Sequence, residues 1–86
     1  MADTHQGESI GSVDIRLQLG LRIRRLREDR GWSQDVFAQM TQLGRSYPHK
    51  IESGIVDIQL TTLVKIAKAF KITPSQLLDS VGSESH

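Results

Sequence analysis

The residues best suited to chemistry with a partner lie in the stretch LGRSYPHKIESG, Leu43 to Gly54. Arg45 and Lys50 are cations, Ser46, Tyr47 and Ser53 carry hydroxyls, and the whole has the polar, basic character of a helix that touches a charged partner. Pro48 stands near its middle, where a helix normally needs its backbone N–H. Catalytic sets are missing from the chain: it offers no paired carboxylates, no nucleophile with a base, and no metal cluster. The three histidines, His5, His49 and His86, are too scattered to form a metal site, and without cysteine no disulfide or thiolate metal site can form. An enzyme is therefore the remotest reading, and no cofactor or metal is expected.

The chain has 86 residues, enough for one domain that buries only ~60% of the surface its unfolded form exposes, so a deep cleft is not expected. Net charge is only +1, but its distribution is uneven. All 11 Lys and Arg fall between Arg16 and Lys71, and the stretch through Asp79 holds six acids, an excess of five positive charges. The other four acids, Asp3, Glu8, Asp14 and Glu84, lie toward the ends. A basic middle fits an anionic partner, although a solvated charged surface would have the same composition. No apolar run approaches a membrane span, and MADTHQGESI lacks the pattern of a signal peptide. A soluble cytoplasmic protein with no membrane contact is expected. Its organisation is read as a mobile N-terminal tail over 1–14, a folded domain over 15–80 and a short C-terminal tail over 81–86.

Helices must position these residues. Ile15, Leu19, Ile23 and Leu26 recur at helical spacing, with arginines 16, 22, 24, 25 and 30 mostly on the other faces, and Gly31 ends the helix. In GWSQDVFAQM, Ser33 is placed to cap a helix starting at Gln34, Asp35 puts negative charge in its first turn, and Trp32 is positioned to staple onto Phe37. That helix should run to Met40 or Thr41. The basic stretch follows after TQLG and should end near Ser53 and Gly54. Leu60, Leu63, Val64, Ala67 and Phe70 form another apolar stripe, widened by Ile66. Finally Thr73, Pro74 and Gln76 spell a capping box with proline at the first position, opening a short helix expected over 74–80. The sum is five helices and no strand.

Three strings in order, LRIRRLREDRGWSQDVFAQMTQL, RSYPHKIESG and LTTLVKIAKAFKITPSQLL, closely resemble the DNA-binding domain of the phage-repressor and Cro-like family, also called the xenobiotic-response-element family. The resemblance spans Gly20 to Leu78. It rests on the arginine-rich first helix, Gly31 followed by Ser33-Gln34, Ile51-Glu52 followed by Gly54, and the helix of Leu63, Ile66 and Ala67. It implies an all-α, compact five-helix repressor-like domain containing a helix-turn-helix. The helix opened by Gln34 would cross the backbone of double-stranded DNA, and the next would enter the major groove. Arg45, Ser46 and Lys50 match the family's base-reading positions; Arg and Lys suit guanine O6 and N7. Gln34, Tyr47 and Ser53 are the expected phosphate contacts, with Gln59 a further one, and His49 is left open between DNA and solvent. Glu52 matches a glutamate that pairs with an arginine of the first helix, here Arg27. The remaining arginines of that helix are expected on a solvated face.

Three departures from the family fall close together. Gln42 stands where the turn usually has glycine, Gly44 where Ser, Thr or Asp often caps, and Pro48 where an aliphatic core residue is typical. With Gly44 as cap, Pro48 is the fourth helical residue and forfeits the first intrahelical bond. Alternatively, regular helix starts later with Pro48 at its first position and Arg45 to Tyr47 irregular. The helix is expected to persist with a distorted start. The resemblance implies a sequence-specific DNA-binding transcriptional regulator acting as a homodimer, because one short helix reads only a few base pairs. The competing reading is a protein-interaction module that keeps the fold without specific DNA binding, for which the irregular QLGRSYPHK is the best argument.

Overall fold

The computed structural model describes residues 14–82, and among them five helices and no strand: α1 (Ile15–Asp29), α2 (Gln34–Thr41), α3 (Tyr47–Glu52), α4 (Leu60–Phe70) and α5 (Pro74–Leu77). The fold is all-helical. Of the expected tails, residues 1–13 and 83–86 lie outside the described residues. Asp14 caps α1, its Oδ1 accepting the Arg16 backbone N–H at 2.8 Å. Val81 packs against the core, and the Gly82 N–H donates to Gln18 Oε1 at 2.6 Å.

Local signals open and close the other helices. Gly31 adopts φ +73° after α1, a conformation that costs glycine no steric penalty. Ser33 accepts the Val36 N–H at 3.1 Å and so starts α2. Both halves of the Thr73–Gln76 capping box form, at 2.9 and 3.0 Å. However, α5 has four residues rather than the seven expected over 74–80, and the chain continues from Leu78 in turns.

The apolar stripes converge on one core built from Leu19, Ile23, Phe37, Ile51, Leu63, Ile66, Ala67, Phe70 and Leu77. Periodicity overreached at two helix ends: Ile15 and Leu60 are exposed, since a first-turn residue can continue the stripe past the edge of the core. The aromatic packing also differs from the sequence reading. Trp32 stacks on Phe70 across the molecule, centroids 5.2 Å apart and planes within 11°, and Phe37 packs on the same ring at 5.6 Å. Trp32 therefore ties the α1–α2 turn to the end of α4.

Two first-helix arginines expected in solvent instead satisfy carbonyls at helix ends. Arg22 donates from Nη2 to the Gln76 carbonyl at 2.7 Å and from Nε to that of Leu77 at 3.3 Å. Arg30 Nη2 donates to the Phe70 carbonyl at 2.7 Å, its guanidinium 5.2 Å from the Phe70 ring centroid. Carbonyls in a last helical turn lack intrahelical donors and carry negative partial charge, so a guanidinium suits both ends.

Candidate nucleic-acid interface

The turn between α2 and α3 orients the basic residues. Gln42 closes α2 in the left-handed conformation, φ 61°, and the Leu43 N–H reaches back to the Ala38 carbonyl at 3.0 Å. A further turn follows, in which the Tyr47 N–H donates to the Gly44 carbonyl at 3.0 Å. Only then does regular helix begin. Ser46 occupies the cap position without a side-chain cap bond, and its carbonyl accepts the Lys50 N–H at 3.4 Å.

Pro48 is accordingly the second residue of α3. The expected distorted start, with Gly44 as cap and Pro48 as fourth helical residue, is not adopted. The helix begins later, because the first-turn N–H groups have no intrahelical partner and a proline there forfeits nothing. Its ring is fully buried, at the position where the resemblance implies an aliphatic side chain. The result is a six-residue helix, closed by Ser53 and by Gly54 at φ +74°.

These backbone choices distribute the predicted residues. Lys50 stands exposed within α3, whereas Arg45 and Ser46 stand exposed in the turn before it. Arg45 is 84% exposed, with Nη2 3.2 Å from Asp35 Oδ2 in the first turn of α2. Tyr47 is half-buried with its side chain against the core, and His49, Ser53 and Gln59 are exposed. Gln34 opens α2 and is half-buried.

Behind this surface lies a polar network. Arg27 grips Glu52 with two hydrogen bonds, Nε to Oε2 at 2.7 Å and Nη2 to Oε1 at 3.1 Å, and donates from Nη1 to the Trp32 carbonyl at 2.7 Å. The two side chains are only 11% and 5% exposed. Hydrogen bonding to the Glu52 carboxylate holds the Arg27 pKa above its ordinary value, against the opposing effect of burial. Gln34 Nε2 adds a third bond to the carboxylate, reaching Oε1 at 3.1 Å. One acid on α3 thus joins α1, α2 and α3.

A helix-turn-helix family model, HTH_3, matches residues 23–77, from the middle of α1 to the end of α5. The chain belongs to this family. HTH_3 proteins of this Cro/C1 type are DNA-binding regulators of transcription. The chain is 33% identical to control protein C.MunI of Mycoplasma sp. over 72 residues, 83% of this chain and 97% of that one. It is 36% identical over 67 residues to control protein C.BamHI of Bacillus amyloliquefaciens, 77% of this chain and 83% of that protein. Among solved structures, the restriction-modification controller protein C.AhdI from Aeromonas hydrophila superposes with a TM-score of 0.69 at 35% identity, covering 72% of this chain and 90% of the other.

Within this HTH_3 chain, several structural contributors escaped the sequence reading. Gly20 is one: a Cβ there would strike the Ile51 carbonyl oxygen and lie 3.0 Å from Glu52 Cα, so α1 approaches α3 backbone to backbone. Asp35, which local spacing places only at a helix terminus, is also the partner of Arg45. The Gln34–Glu52 bond was missed as well. Each links residues 10 or more apart, and local spacing carries no signal for such pairs.

Proposed function

We propose that the protein is a sequence-specific transcriptional controller of the restriction-modification type, acting in the cytoplasm as a homodimer on a two-fold-related DNA operator. The observation that carries this reading is the helix-turn-helix, with α2 opening at Gln34 and an exposed cationic set, Arg45 and Lys50, on and just before α3. Extensive matches to control proteins support the controller type. In this reading α3 enters the major groove. Arg45 and Lys50 donate to guanine O6 and N7, and the Ser46 hydroxyl, unused as a cap, meets a neighbouring base. Gln34, Tyr47 and Ser53 contact phosphates and set the register of α3.

A six-residue helix spans too few base pairs to select one operator, which supports pairing of two copies. The surface that fits a second copy is apolar. Ile55 and Leu60 are 61% and 74% exposed, and a groove is lined by Ile15, Val56, Ile58, Leu63 and Leu78 among others. Arg16, paired with Asp14 at 2.7 Å, and Asp57 also line it.

The test is selection of bound duplexes from a random pool, followed by titration of the winner at several salt concentrations. The expected result is an inverted repeat bound with an affinity that falls steeply as salt rises, as phosphate contacts require. A pool that returns no preferred sequence, together with salt-insensitive association, would instead favour the protein-interaction module.

A further inference from the structure

The third hydrogen bond on Glu52 is more than the ion pair requires. Arg27 already meets both carboxylate oxygens, yet Oε1 also takes a bond from Gln34 Nε2. A glutamine amide has two faces, an oxygen that would repel a phosphate and a nitrogen with two N–H groups that would attract one. A carboxylate only accepts, so Glu52 selects the nitrogen face, engages one N–H and leaves the second unspent. Glu52 is itself buried and paired with Arg27, so its charge is matched and does not oppose an incoming phosphate.

We infer that Glu52 is a positioning residue for the DNA backbone contact of Gln34: from α3 it fixes the Gln34 amide with its free N–H set for a phosphate at the start of α2. This inference rests on the DNA-binding reading above. It gives the Arg27–Glu52 pair a role beyond holding helices together. The residue that docks α3 onto α1 also orients the phosphate donor on α2, so the placement of α3 and the phosphate contact are set by one carboxylate. The first-turn backbone supports the same site: Ser33 takes the Val36 N–H, which leaves those of Gln34 and Asp35 facing outward from the helix end.

The experiment is a double-mutant cycle between Gln34 and Glu52, read by fluorescence anisotropy on the selected operator and on an unrelated duplex of equal length. Glu52→Gln is the mildest change. Because it unbalances a buried arginine, a second background replaces the pair with apolar side chains, Arg27→Met with Glu52→Leu, which commonly preserves a fold. Circular dichroism establishes that each variant is helical. Gln34→Ala is expected to weaken binding to both duplexes about fivefold, the value of one hydrogen bond. The Arg27→Met/Glu52→Leu protein should show a similar loss on the unrelated duplex and at least that loss on the operator, and adding Gln34→Ala to it should cost nothing further on either. In the free wild-type protein, one of the two Gln34 side-chain amide protons should be shifted downfield of its ordinary NMR position, and it should return to that position in that background. Independent losses that multiply, or a loss confined to the operator, would overturn the inference by showing that Glu52 acts only through α3. Wild-type protein that binds neither duplex would overturn the DNA reading itself, and this inference with it.

Discussion

Lys50 and Arg45 carry similar charge but stand on different supports. Lys50 projects from regular helix, its backbone N–H bonded to Ser46, while Arg45 precedes the helix and leans on an exposed carboxylate of another helix. Exposed pairs of this kind are worth little, so Arg45 is free to exchange Asp35 for DNA. Lys50→Ala should therefore weaken operator binding by ~1 to 3 kcal/mol while sparing binding to unrelated DNA, which parallel titrations of both duplexes would measure. Equal losses would make it a phosphate contact. Asp14 permits a test by pH. The Arg16 guanidinium and backbone N–H hold its carboxyl down from 3.8 to about 2, so its contribution is complete above pH 3.8 and disappears as pH falls toward 2. Asp14→Asn keeps a capping oxygen but cannot titrate. Denaturation midpoints between pH 4 and 2 should fall less steeply for the variant than for the wild type, and parallel curves would show that the cap charge is irrelevant.

At the scale of elements, sequence legibility followed the range of the interaction that decides each feature. Ser33, Gly31 and the Thr73–Gln76 box act within a few residues, and their spacing suffices to place the helix ends. The C-terminus of α5 and the edges of the stripes at Ile15 and Leu60 depend on where the core stops, which periodicity does not contain. The carbonyl caps by Arg22 and Arg30 span 54 and 40 residues, and nothing in an arginine's neighbours announces them. Gly20 is similar. Its Cβ would meet stiff backbone at Ile51 and Glu52, so Gly20→Ala must push α1 off α3. Overpacking costs ~1 to 3 kcal/mol, against the ~1 kcal/mol Ala gains in helix propensity, and a net loss of stability is expected in urea denaturation. Pro48 was legible only as two alternatives, because the choice depends on whether residues 44–46 turn before the helix. With Pro48 second in α3 and fully buried, Pro48→Ile should be neutral or destabilising by about 1 kcal/mol, measured by denaturation at matched protein concentration. The Gly44 carbonyl, four residues back, already accepts the Tyr47 N–H. A clear gain in stability would mean that the helix starts earlier than Tyr47.

For the whole molecule, the arrangement separates two kinds of surface. In the proposed reading, the cationic residues of the turn and α3 face DNA, and the apolar groove lined from α1, the segment after α3, α4 and the turn after α5 suits another copy. Family membership is readable because it resides in local strings, whereas the proposed pairing groove is not, since its residues come from both ends of the fold and Ile15 reads as core. Leu60 tests this division directly. It is 74% exposed at the first position of α4, so a charge there costs the folded monomer little and in fact suits a helix N-terminus. In a two-fold interface the same charge would be buried without a partner, which is strongly unfavourable. Leu60→Glu should therefore give a helical monomer in sedimentation equilibrium at concentrations where the wild type is dimeric. Its affinity for an isolated half-site should be unchanged. Its affinity for the complete operator should fall by at least tenfold, because the second half-site no longer binds as part of one molecule. A variant that stays dimeric and keeps full operator affinity would place the pairing surface elsewhere on the molecule.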